Sequence, residues 1–133
     1  MADEKTYTVE EANALLPWLR ERLEGCAVAS GELELRQQAV REAQRRARSN
    51  GHRDAGRDIS SAEMQAVEQM RRIRRVVDAL SEKKIELRDM SSGLIDFPGE
   101  RDGQRVWLCW RMDEPDVGFW HELDTGFGSR RQL

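Results

Sequence analysis

Apolar residues recur at helical spacing through two long stretches of the chain, and at the two-residue spacing of strands through its last third. From Ala12 the positions Leu16, Leu19, Leu23, Cys26, Ser30, Leu33, Gln37, Val40, Gln44 and Ala47 follow in unbroken four-three steps, which sets them all on one stripe of a helix. Ser30, Gln37 and Gln44 weaken that stripe toward its far end. Thr8 and Glu11 form the capping-box pattern that starts such a helix. Pro17 lacks an N–H and crowds the preceding turn, so it predicts either a kink or a short helix over 9–15 followed by a second beginning near Pro17.

A second helical run is expected from Ser60 or Ser61, capped by Ser60 with Glu63, to about Asp89. Its seam is Ala66, Met70, Ile73, Val77, Leu80, Lys84 and Leu87. The intervening segment Arg48 to Asp58 holds Gly51 and Gly56 with no apolar periodicity and predicts a connecting loop near 49–59. Beyond Ser91 alternation takes over. Leu94–Phe97, ended by Pro98, then Arg105–Arg111 and Val117–Leu123 read as strands, with Asp102-Gly103 and Met112–Asp116 as turns. The tail 126–133 is too short and glycine-rich to predict an element.

The expected fold class is therefore α+β, a single domain over 1–133. Residues 9–89 form a long antiparallel helical hairpin, and 90–133 form a small C-terminal antiparallel β meander. At 1.5 Å per residue the first helix spans roughly 60 Å and the second roughly 43 Å, so the first overshoots by about 16 Å. That overhang, with Leu15, Leu16, Pro17 and Trp18, is expected to cover the meander, which holds three of the four tryptophans and all three phenylalanines.

Composition sharpens this picture. Charged residues make up 35% of the 133 positions, hydrophobic ones 38% and aromatics 6%, which suits exposed helices carrying narrow apolar seams. No apolar run approaches the roughly 18 residues of a membrane span, and the opening Met-Ala-Asp-Glu-Lys lacks a signal-peptide pattern, so a cytoplasmic protein with no membrane partner is expected. Cys26 and Cys109 lie far apart and read as reduced thiols. Residues 36–75 contain eleven arginines against five acids, a balance of +6; with the chain at −3, the remainder carries −9. An acidic partner or nucleic acid could dock on this arginine-rich tip, through Arg41, Arg45, Arg46, Arg48, Arg53, Arg57 and the pairs Arg71-Arg72 and Arg74-Arg75. The simpler alternative is a solvated face of Glu–Arg pairs, because the aromatic platforms of single-strand binders are missing there.

Tyr7 to Pro17, Gly93 to Pro98, Asp102-Gly103, Val106 to Arg111, Trp120 to Glu122 and Gly126 to Arg131 together resemble the bacterial family catalogued as domain of unknown function 2203. The resemblance spans nearly the whole chain and implies matching ends around a variable helical middle. It implies no activity and no residue roles.

Strand register points to candidate chemistry. A two-residue turn at Asp102-Gly103 sets Asp96 beside Cys109 and Phe97 beside Leu108, and a five-residue loop over 112–116 sets Cys109 opposite Phe119 and Trp107 opposite His121. Asp96, Trp107, Cys109, Arg111 and His121 then share one face, with Phe97, Leu108, Trp110 and Trp120 on the other. A carboxylate, a thiol and an imidazole so placed could bind zinc or another divalent metal through Cys109, His121 and Asp96, with Glu122 or Asp124 nearby. Structural roles compete: Asp96 capping a turn or pairing with Arg111, and Cys109 as a small buried filler. Cys109 as a nucleophile with His121 as base is a further alternative. Neither helix carries a Glu-x-x-His pair, and no phosphate-binding loop or HExxH motif is present, so a non-enzymatic protein is favoured. The leading expectation is an interaction or assembly protein that self-associates through its hairpin as a dimer, since a two-helix seam cannot enclose a core.

Overall fold

The computed structural model describes residues 5–50 and 55–133. In chain order these form α1 (Val9–Ala14), α2 (Leu16–Asn50), α3 (Ala55–Glu82), β1 (Glu86–Asp89), β2 (Leu94–Arg101), β3 (Gln104–Arg111), β4 (Phe119–Glu122), a 3-10 turn (Phe127–Ser129) and β5 (Arg131–Gln132). The fold class is α+β, as expected. The chain makes two compact units, one of residues 1–24 with 77–133 and one of residues 25–76.

In the first unit the Thr8 hydroxyl accepts the Glu11 N–H at 3.0 Å and the Glu11 carboxylate accepts the Thr8 N–H at 2.8 Å, closing the capping box. The chain breaks at Leu15 and α2 starts at Leu16, which puts Pro17 in a first turn where its missing N–H removes no helical bond. Of the two expectations for Pro17, the split helix is the one found.

The end of α3 departs from expectation. The helix stops at Glu82, not near Asp89. Lys84 takes a left-handed φ of 63°, its N–H bonds to the Ser81 carbonyl, and the Ile85 N–H reaches back to the Leu80 carbonyl. This is a Schellman stop with lysine where glycine is usual, and it buries Leu80 and Ile85. The chain then turns into β1, which the helical reading had absorbed. At the other end α3 begins at Ala55, so Ser60 and Glu63 lie inside the helix and do not cap it. Part of the expected loop is therefore helical, and residues 51–54 lie outside the described ones.

The sheet is antiparallel throughout, in the order β1-β2-β3-β4-β5. Asp102 (φ 53°) and Gly103 (φ 78°) make the two-residue turn, and the register is the expected one: Asp96 pairs with Cys109, Phe97 with Leu108, Cys109 with Phe119 and Trp107 with His121. Strand β2 does not end at Pro98. It continues to Arg101, because Pro98 lies beyond the reach of β1, at an edge where no ladder N–H is required. The Pro98 carbonyl accepts the Tyr7 N–H there at 2.7 Å. The tail, expected to form no element, supplies the 3-10 turn and β5, whose Arg131 and Gln132 pair with Trp120 and Phe119.

Ile95, Phe97, Leu108 and Trp110 on one sheet face are buried, as are Leu16, Leu19 and Leu23 of α2, Leu80 of α3, and Ile85. The overhang docks on the sheet unit by polar anchors too: the Val117 N–H donates to Asn13 Oδ1 at 2.7 Å, and Arg20 donates to the carbonyls of Met112 and Glu114 at 3.0 Å each.

In the second unit α2 and α3 pack with small buried side chains: Cys26, Ala29 and Ala43 from one, Ala62 and Ala66 from the other. Ser30, Gln37 and Gln44, expected in the seam, are exposed. Ala29 and Ala43 replace their neighbours Ser30 and Gln44 because burying a methyl costs no hydrogen bonds, whereas a hydroxyl or amide would need partners. Among the described residues no helix is long and apolar enough to cross a membrane.

Candidate metal centre

The sheet face opposite the helices gathers three side chains that alternation along β2, β3 and β4 aims the same way. Asp96, Cys109 and His121 stand on three adjacent strands and are only 2%, 1% and 2% exposed. One donor atom from each lies within 4.8 Å of the other two. Beside them opens a cavity of about 340 Å³, lined also by Arg88, Leu94, Leu123, Asp124 and Phe127.

The hydrogen bonds leave one proton unaccounted for. His121 Nδ1 lies 2.9 Å from the Glu122 carbonyl, which can only accept, so Nδ1 carries a proton. Nε2 then faces Asp96 Oδ2 at 3.0 Å, an oxygen that also accepts from Arg88 Nε at 3.0 Å. Two acceptors cannot meet without a cation between them, either a second proton or a metal. Asp96 Oδ1 is buried with no hydrogen-bond partner. Burial pushes the Cys109 thiol up to about 12, the Asp96 carboxylate adds to the rise, and Arg130 opposes it. Without a metal the sulfur therefore stays protonated at neutral pH, and both imidazole nitrogens are engaged elsewhere. A Cys109 nucleophile activated by His121 does not fit this arrangement.

The tail forms the cover. The Arg130 guanidinium lies 4.0 Å from the Phe119 ring centroid and 4.6 Å from that of Phe127, donates to the Cys109 carbonyl, and pairs with Glu114 at 2.6 Å. Burial alone would raise the Glu114 carboxyl, but its bonds to Arg130 and to the Arg111 N–H outweigh that and hold it below its ordinary range.

A family model described as "Uncharacterized conserved protein (DUF2203)" matches residues 5–133. The chain belongs to the DUF2203 family. No curated protein and no solved structure matches it.

In this DUF2203 chain the candidate residues from sequence divide. Asp96, Cys109 and His121 come together. Glu122 does not join them: its carboxylate is exposed and lies 3.7 Å from Arg131, and only its backbone carbonyl serves the site. Asp124 lines the cavity. Arg111 shares the face but pairs with Asp113 at 2.6 Å, so the partner of Asp96 is Arg88 instead. Sequence reading missed Arg88, Phe127 and Arg130. The first lay in a stretch taken as helix, although Ile85 and Leu87 already alternate, and the others lay in the tail. The arginine-rich stretch is partly neutralised, with Arg45 and Arg46 on Glu42 and Arg72 and Arg75 on Glu68; Arg53 lies outside the described residues.

Proposed function

We propose that the C-terminal sheet binds one divalent transition metal, zinc in the first instance, through Asp96, Cys109 and His121. The observation that carries this reading is the orphaned Oδ1 of Asp96, buried beside an imidazole and a thiol that face the same point. An imidazole and a sulfur select zinc-class ions over magnesium or calcium. The His121 Nδ1–H to backbone carbonyl contact is the outer bond that orients a metal-bound imidazole through Nε2. His121 Nε2 and Asp96 Oδ2 already stand 3.0 Å apart, and all three donors lie within 4.8 Å of one another, so small side-chain adjustments would bring them around one ion. Three protein donors leave one position for water or Asp124. An ion held there would take the place of a second proton between Nε2 and Oδ2, and its charge would favour the Cys109 thiolate as ligand.

The two free, buried cysteines accord with a reducing compartment, and we place the protein in the cytoplasm on that ground.

Elemental analysis of the purified protein should give one zinc per chain, and cobalt substitution should give thiolate-to-cobalt charge-transfer absorption. The Cys109→Ser, His121→Ala double variant should lose both while keeping its circular dichroism. Zinc retained by that folded variant, or a wild type that takes up neither metal, overturns the reading.

A further inference from the structure

The second unit inverts the usual economy of a helix pair. Its buried side chains are small, while Val28, Leu35, Met64, Val67 and Met70 are exposed. Burial is worth roughly 25 cal/mol per Å² of apolar surface, so alanines contribute little and the larger side chains stay in water. On one flank a groove of about 450 Å³ runs between α2 and α3, with Val40, Ala66, Val67 and Met70 as its apolar lining and Gln37 at its side. Val67 and Met70 are 39% and 46% exposed. Ser30 and Gln44 stand seven residues either side of Gln37, so all three exposed polar positions of the α2 heptad fall on this flank.

Charge identifies what fits. The groove carries Arg41 on α2 and Glu63 on α3, and neither is in an ion pair with another described residue, in contrast to Glu32–Arg36, Glu42–Arg46 and Glu68–Arg72 on the same helices. One basic and one acidic group flanking an apolar strip is a self-complementary surface. Under a two-fold axis residue i meets j and j meets i, so Arg41 of each copy faces Glu63 of the other. We infer that this groove is the interface of a homodimer, in which two α2–α3 pairs close into a four-helix bundle over Val40, Val67 and Met70. The exposed heptad positions Ser30, Gln37 and Gln44 then gain a partner helix.

Sedimentation equilibrium at micromolar protein should give the dimer mass, and Met70→Glu should give monomer. Arg41→Glu and Glu63→Arg, each placing like charges opposite one another, should each weaken the dimer by roughly tenfold or more. Combining them in one chain should restore it, and mixing the two single variants should give a heterodimer tighter than either variant alone. All three substitutions are at exposed positions, so circular dichroism should not change. A wild-type monomer at every concentration overturns the inference, as does a double variant no tighter than the singles. The outcome does not depend on metal content.

Discussion

Lys84 holds a conformation that glycine adopts without cost. Its φ of 63° ends α3, and a side chain there carries a penalty of about 1 kcal/mol. Lys84→Gly should therefore raise stability by roughly 0.5–1 kcal/mol, read as a higher urea midpoint at unchanged slope. Gly93 is the opposite case. It has φ of 67°, and an added Cβ would sit 2.7 Å from Met112 Cβ, so Gly93→Ala should cost more than about 1 kcal/mol in the same assay. The Cys109 thiol gives a pH signature. Its folded value near 12 lies above the ordinary 9.0, so in metal-free protein its burial supports the fold below pH 9 and loses that support as pH rises toward 12. Native protein should accordingly resist thiol alkylation at pH 9 while urea-unfolded protein reacts; equal rates would contradict the burial. The sequence register set Cys109 beside Asp96, but not the left-handed turn at Lys84 or the full burial of the thiol. A lysine in a left-handed turn has no local sequence signal, and the environment of Cys109 depends on three strands and the tail.

Among the elements, hairpin β2–β3 was the most legible, because Asp102-Gly103 is a turn whose backbone demands specify both its length and the register it imposes. That register carried Asp96, Cys109 and His121 to one face in advance of any structure. Strand β1 was hidden because Leu80, Lys84 and Leu87 fit a helical stripe as well as Ile85 and Leu87 fit a strand. Only the stop at Lys84 decides between them. The polar heptad members Ser30, Gln37 and Gln44 misled for a related reason: spacing marks a stripe but not which of two adjacent stripes a partner covers. In the sheet itself Trp110 is wholly buried and its indole N–H donates to the Glu114 carbonyl at 3.0 Å. Trp110→Ala should cost on the order of 3–5 kcal/mol in chemical denaturation, and the half-buried Trp120 should cost less. Equal, small losses below about 1 kcal/mol would mean that the sheet is not the stability centre.

For the chain as a whole, what holds the tail down is electrostatic as well as apolar. The Glu114 carboxylate is kept below its ordinary 4.5 with Arg130 against it, so this pair contributes stability above that pH and loses it as acid protonates Glu114. Amide protection over 126–133, corrected for the intrinsic exchange rate, should fall below pH 4 ahead of protection in β2 and β3, and Arg130→Met should produce the same loosening at neutral pH. Sequence could not reveal this latch, since Glu114, Phe119, Phe127 and Arg130 converge only once β4 has paired.

The two outermost strands have a further consequence. β1 is four residues long, mostly charged, and irregular between Leu87 and Asp89; β5 is two residues long and led by Arg131. Short, charged and bulged borders are how sheets refuse to recruit foreign strands. The inner strands they shield include Phe119 and Trp120 on β4, whose backbone partners are Gln132 and Arg131. Trimming the chain after Thr125 would bare that ladder edge together with its aromatics, turning a monodisperse preparation into one that scatters light and binds thioflavin on standing.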